Sequence, residues 1–235
     1  MGLVIDDRGY SQGFAPGKAL EVRTNRRSDL ILKKMAIRQD TTILEIGCGR
    51  GEMSYLVAKK TNAELLGVDL CVPFIEEARK KHSLPNLKFE VLDFNKPKIL
   101  MGQQFDYIIG NGILHHLYYN IENGLKNMRT LLKNNGKIIF MEPNLKNPYI
   151  YAIFTYPSLR KKAKLEPDEM AFTRIFIRNK LETCGFSQIE VEYRDFLLPN
   201  TPDILIKPFI MFGNFAESMP VLKQLAQSLF IIAAK

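Results

Sequence analysis

Leu44-Glu45-Ile46-Gly47-Cys48-Gly49-Arg50-Gly51 carries an apolar, β-branched run directly into three alternate glycines, and the fold reading starts from this stretch. A strand that gives way to a helix within a few residues needs glycine where φ is positive and where a ligand approaches the backbone without meeting a Cβ. Thr42 to Ile46 reads as the strand. Glu52 to Lys60 reads as the helix, with Met53, Leu56 and Val57 at helical spacing. Downstream, Leu65 to Val68 forms a second short apolar run, closed by Asp69 and Leu70.

From Thr41 onward, β-branched runs alternate with longer helical patterns, as in successive βαβ units on a mostly parallel sheet. A helix opens near Pro73, a residue suited to a first turn because its missing N–H has no partner there. Leu87 to Leu92, Phe105 to Ile109 and Lys137 to Met141 read as strands three to five, with Asn134-Asn135-Gly136 ending the helix before the last. After Pro143 a helix of about Asp168 to Thr183 ends at Gly185. Ile189 to Phe196 and Ser228 to Ala233 complete seven strands. The expected class is therefore α/β, doubly wound and mostly parallel. Residues 1–38 read as an amino-terminal helical segment, residues 39–235 as the main domain, with insertions near 144–167 and 198–227.

Dinucleotide dehydrogenases use G-x-G-x-x-G at this turn, whereas here the third glycine comes one residue early and Glu52 holds its place. The compressed G-x-G-x-G after Glu45 resembles motif I of the class I S-adenosylmethionine-dependent methyltransferases, and the resemblance continues at intervals to the last strand. It implies that Gly47, Cys48, Gly49 and Gly51 line the donor, Cys48 serving as a small residue in a crowded turn. Glu45 acts indirectly, through the loop backbone or the methionine amino group. Asp69, beside Leu70, accepts the ribose hydroxyls, and Asp93 with Phe94 receives the adenine. Each feature also has a plain structural reading as a turn, a helix cap or a loop start. It is their joint register that points to the donor.

In an open α/β sheet, ligands sit beyond the carboxyl ends of the strands at the switch point, which selects the loop after the fourth strand. Phe105-Asp106-Tyr107-Ile108 followed by Leu114-His115-His116 is similar to the fourth-strand motif of small-molecule members of the family, with Asn111 and Gly112 against the methionine moiety. Methyl transfer is an in-line displacement, so most of the catalysis comes from alignment and dryness. An acceptor that must lose a proton needs a base, and a histidine suits that role at neutral pH. His115 and His116 are the candidates, with packing at a helix entry as the other reading. Glu142-Pro143-Asn144 opens onto the same rim, where it could orient a substrate. His82, among lysines, reads as surface. Tyr10 and the basic helix from about Glu21 to Met35, with Arg23, Arg26 and Arg27, resemble the lid of many relatives, where a tyrosine and an arginine fork suit the donor carboxylate.

The expected activity is methyl transfer from S-adenosylmethionine, leaving S-adenosylhomocysteine, to a hydroxyl or amine of a small hydrophobic or lipid-like acceptor, without a metal. The fourth-strand loop lacks the Asn/Asp-Pro-Pro-Tyr/Phe motif of amide and base-amino methylators. The chain carries a net charge of +8, with eight Lys/Arg against four Asp/Glu in residues 1–38 and eight against three in residues 145–180. It has no dense nucleic-acid tail, so an RNA methyltransferase is an alternative and nucleic acid is not the expected partner. A non-catalytic donor-binding or partner protein is the other alternative. Three cysteines without C-x-x-C, and no signal or spanning segment, point to the cytoplasm. The aromatic stretch Tyr149 to Pro157 and the apolar stretch Ile204 to Phe212 either roof a pocket or make peripheral membrane contact. The oligomeric state stays open.

Overall fold

The computed structural model describes residues 17–94, 100 and 102–235. Tyr10 lies outside them. In chain order the elements are α1 (Lys18–Leu32), β1 (Thr42–Ile46), α2 (Glu52–Lys59), β2 (Glu64–Asp69), α3 (Val72–Lys81), β3 (Leu87–Val91), β4 (Phe105–Asn111), α4 (Ile121–Leu131) and β5 (Leu132–Pro143). There follow α5 (Pro148–Thr155), α6 (Pro157–Lys162), α7 (Arg174–Thr183), β6 (Ser187–Arg194), α8 (Asp203–Ser218) and β7 (Ser228–Ala234). The strands form one sheet in the order β3-β2-β1-β4-β5-β7-β6. Strands β1 to β5 pair in parallel, and β7 runs antiparallel to both β5 and β6. The winding reverses between β1 and β4, so the carboxyl ends of these two strands open the crevice where a ligand fits.

Side chains on a strand alternate between faces, and here both faces are buried. Leu44, Ile108, Ile138, Phe140 and Ile231 join α4 and α7 in one core. Ile43, Tyr107, Ile109, Ile139 and Ile232 join α1, α2 and α3 in the other. Each fully buried aliphatic side chain contributes roughly 1.5–3 kcal/mol, so these two cores anchor the strands whose carboxyl ends form the crevice.

Several boundaries differ from the sequence reading, each for a local reason. Asn134-Asn135-Gly136 does not end a helix. α4 stops at Leu131 and β5 begins at once, while Asn135 takes φ 64° inside the strand, where the register slips between Leu132 and Lys137. The helix expected from Asp168 starts only at Arg174, because the Thr173 hydroxyl accepts the Phe176 N–H at 3.2 Å and Phe172 is tied into extended pairing with Asn144. His82 is not a plain surface residue: its ring is half-buried and stacks on Tyr55 at 4.7 Å.

α1 is fastened to the far side of the crevice by charge. Arg23 and Arg27 both reach Asp195, at 3.1 and 2.8 Å; Arg27 and Asp195 are buried and Arg23 is largely covered. Burial pushes the Asp195 carboxyl up, but the charges of Arg27 and Arg23 outweigh it and hold its pKa below the usual value. Burial and the neighbouring Arg27 pull Arg23 down to about 9, which leaves it cationic at neutral pH.

Removing one partner strands buried charge, so Asp195→Ala is expected to cost about 3 kcal/mol or more and to lower Tm by roughly 6–12 °C. Because the folded pKa lies below the unfolded one, this stabilisation is fully present above the ordinary carboxylate pKa near 3.9 and fades as pH falls through the folded value. Calorimetric melts of wild type and Asp195→Ala between pH 3 and pH 8 should converge toward the acid end; parallel curves would contradict the ion-pair account.

Candidate active site

Three loops meet at the carboxyl edge of the sheet. The Cys48 N–H donates to the Val68 carbonyl at 3.0 Å, and the Gly49 N–H to Asp69 Oδ2 at 2.9 Å. The Cys71 N–H donates to Asp69 Oδ1 at 2.8 Å, and the Leu92 N–H to the Asp69 carbonyl at 2.9 Å, so Asp93 and Phe94 start beside Asp69. Burial raises the Asp69 pKa against these hydrogen bonds.

The three glycines serve different purposes. All have positive φ, but a Cβ on Gly47 would lie 2.4 Å from the Ile113 side chain, and one on Gly51 would lie 2.6 Å from the Phe89 ring. Those two are glycine because protein packs there. A Cβ on Gly49 would meet nothing within 4 Å, so that backbone faces open space at the crevice. This is the local shape expected where a ligand lies against main chain.

Beneath the loop, Glu45 is buried and accepts a short hydrogen bond from the Ser54 hydroxyl. Burial pushes its pKa up to about 8. Glu45 thus braces the first turn of α2 and acts from behind the loop. Cys48 is buried, and burial drives its thiol well above its ordinary value, away from nucleophilic chemistry.

Across the crevice, the end of β4 leads into a 3-10 helix, Leu114–Asn120. The Gly112 N–H donates to the Met141 carbonyl at 2.8 Å with φ 72°. Glu142, fully buried at the end of β5, receives the N–H groups of Ile113 at 2.9 Å and Leu114 at 2.8 Å on one oxygen. Its other oxygen takes the His115 N–H at 3.2 Å and faces His115 Nδ1 at 3.0 Å. A carboxylate so held fixes the imbalance of the ring: Nδ1 carries the proton and Nε2 keeps a lone pair. Burial, with the neighbouring His116, lowers the His115 pKa.

His116 forms a second pair, Nδ1 to Glu169 at 2.8 Å, with the two imidazole centroids 4.2 Å apart. Burial works against its charge, but the hydrogen bond and charge of Glu169 outweigh it and raise its pKa. Ligand-type atoms of His115, His116 and Glu169 all lie within 4.8 Å of one another, a closeness that the adjacent imidazoles and the His116–Glu169 pair account for. Phe154 of α5 stands edge-on to the His115 ring at 5.8 Å.

Most expected site residues therefore converge on one crevice: the glycine loop, Asp69, Leu70, Asp93, Phe94, Asn111, Gly112 and the histidines. Arg23 does not. Its guanidinium is spent on Asp195 and on Gln227 at 2.9 Å, and it is Arg27, one helical turn later, that touches the crevice, donating to Asn111 Oδ1 at 2.6 Å. Glu142 turns inward to His115 instead of opening on the rim. Glu169 and Ser54 were not singled out by the sequence, and Phe154 stood out only as part of the aromatic stretch Tyr149 to Pro157. Glu169 sits in a segment read as helix, and only its pairing to His116 reveals its place.

A family model described as a methyltransferase domain matches residues 37–194, which include the glycine loop, Asp69, Asp93 and the histidine pair. The chain belongs to the class I S-adenosylmethionine-dependent methyltransferases. Its methyl donor is S-adenosylmethionine. A methyltransferase from Archaeoglobus fulgidus has the same fold, with TM-score 0.67 and 18% identity over 96% of this chain and 98% of that one. The CurJ carbon methyltransferase gives 0.64 and 19% over 97% of this chain and 58% of that one. Probable polyketide synthase 41 of Dictyostelium discoideum is 30% identical over 164 residues, 60% of this chain. The methyltransferase spans about 6% of the length of such synthases.

Gly49→Ala is expected to weaken S-adenosylhomocysteine binding by about tenfold or more while costing only about 1–2 kcal/mol of stability from its positive φ. Calorimetric titration beside a thermal melt checks this; unchanged affinity would remove the ligand from that backbone.

Proposed function

We propose that this methyltransferase methylates a hydroxyl or amine of a small apolar acceptor held between the β4–β5 rim and α5, with His115 as general base. The observation that carries the reading is the Glu142–His115 pair, in which a carboxylate anchored by three backbone N–H groups presents a neutral imidazole at the crevice.

On this reading, Asp69 holds the ribose hydroxyls, Asp93 and Phe94 the adenine end, and Gly47, Cys48, Gly49 and Gly51 the bend of the donor, with Leu70 alongside. Asn111 and Gly112, steadied by Arg27, face the methionine end, and Glu45 supports the loop from behind. S-adenosylmethionine, when bound there, supplies an electrophilic methyl group on a sulfonium, which leaves as the thioether. His115 Nε2 takes the acceptor proton as the new bond to carbon forms, and Glu142 stabilises the imidazolium that results. Phe154 and the buried rim exclude water.

A carbon acceptor is the second reading. The raised pKa of His116 beside a neutral His115 suits an acceptor whose charge spreads onto a neighbouring oxygen, since two groups with pKa values pushed apart divide acid from base roles. Among similar proteins, one is a carbon methyltransferase and others are polyketide synthases.

Incubation of labelled donor with fractionated lipids, small metabolites and RNA identifies the acceptor, and mass spectrometry of the product assigns the methylated atom. With that acceptor, His115→Ala should lower kcat by about a hundredfold or more with donor affinity unchanged. The wild-type rate should be level at neutral pH and fall as pH drops below the ordinary imidazole value near 6.5, because a lowered pKa keeps His115 deprotonated until then. Full turnover by the variant would overturn the base assignment.

A further inference from the structure

The two insertions leave a large apolar surface uncovered. α8 buries Ile206, Gly213 and Ala216, and a Cβ on Gly213 would stand 3.1 Å from Phe196, so one narrow seam is packed. On the remaining arc Ile204 is 85% exposed, Met211 73% and Phe215 60%, with Leu205 and Phe212 also exposed. At 100° per residue, Ile204, Phe215, Phe212 and Leu205 fall within about one third of a turn, a continuous stripe.

A second patch lies on the first insertion. Tyr149, Tyr151 and Tyr156 of α5 and its end are exposed. The Asn147 side chain, which caps α5, donates to the Leu225 carbonyl at 2.7 Å, and Lys146 Nζ donates to Gln224 Oε1 at 2.9 Å. These bonds stitch the first insertion to the turn that follows α8.

Charge accompanies the apolar surface. Across residues 146–167 and 203–225, seven Lys/Arg face three acidic residues, Glu166, Asp203 and Glu217. Glu217 is neutralised by Arg194 at 2.8 Å. Lys161, Lys162 and Lys207 are exposed. A second copy of this face would meet its own positive charge. Nucleic acid would match the charge but offers no medium for Phe212, Phe215 and Met211. An anionic bilayer surface matches both, with aromatic and aliphatic groups entering the interface and lysines staying at phosphate level. No helix of the described residues is long and apolar enough to cross a membrane, so α8 would lie in the plane.

We propose that the exposed face formed by α8 and the α5–α6 insertion is a docking surface for anionic membranes. This does not depend on the identity of the methyl acceptor.

Flotation of the full chain tests it, using phosphatidylcholine vesicles with and without about one-third phosphatidylglycerol. The wild type should float with the anionic vesicles, weakly with the neutral ones, and less as salt rises. Phe212→Glu and Phe215→Glu should each lower partitioning by roughly tenfold or more. Lys161→Glu with Lys162→Glu should remove the anionic preference. Unchanged Tm and unchanged S-adenosylhomocysteine affinity in these surface variants show that the fold and donor site are intact. Absence of flotation with anionic vesicles, variants that float like wild type, or a wild-type dimer in sedimentation equilibrium that Phe212→Glu dissociates would each overturn the proposal.

Discussion

The carboxylate of Glu142 is the point on which the β4 side of the crevice depends. It is fully buried at the end of β5, where an uncompensated charge would be strongly unfavourable. Four hydrogen-bonding groups converge on it, three from consecutive backbone positions after β4 and one from His115. The same contacts that satisfy the charge also fix the path of the β4 loop and the tautomer of the imidazole. Structure and chemistry here are one arrangement: the loop cannot relax without exposing the carboxylate, and the ring cannot turn without losing its partner.

The glycine-loop side is built on a different principle. Two of the three glycines are required by neighbouring side chains, Ile113 at Gly47 and Phe89 at Gly51. Thus the glycine loop is held by the very loop that carries the histidines, and only Gly49 keeps its backbone open. The two halves of the crevice are coupled through Ile113, whose N–H is bound by Glu142 while its side chain fills the space at Gly47. Arg27 closes the circuit, linking Asn111 on β4 to Asp195 after β6 and to Ser228 on β7. This buried ion pair sets where α1 lies across the crevice.

The fold was legible in the sequence because the βα alternation and the glycine turn are local patterns, readable residue by residue. The positions of Asp69, Asp93 and the histidines were legible for the same reason: they stand at strand ends or within a few residues after them. What the sequence hid was contact between distant segments. Arg23 and Arg27 lie on one helix and look equivalent; only the position of Asp195, far along the chain, shows that Arg27 reaches Asn111 and Arg23 does not. Glu169 was hidden in what read as a helix, because the pairing of Phe172 with Asn144 that keeps the segment extended has no local signature. Asn134-Asn135-Gly136 reads as a helix end but marks an irregularity within β5, because Asn-Gly serves both purposes.

A family that keeps one sheet and varies its insertions fixes the donor and frees the acceptor. In this chain the rim of the sheet carries two imidazole–carboxylate pairs, and the insertions present an apolar, basic surface. The central claim, that the crevice between β1 and β4 is a donor site, is tested most directly by calorimetric titration of the wild-type chain with S-adenosylhomocysteine. The account predicts saturable binding of one molecule per chain. No heat of binding up to about millimolar ligand, the weak end of specific affinities, would contradict it.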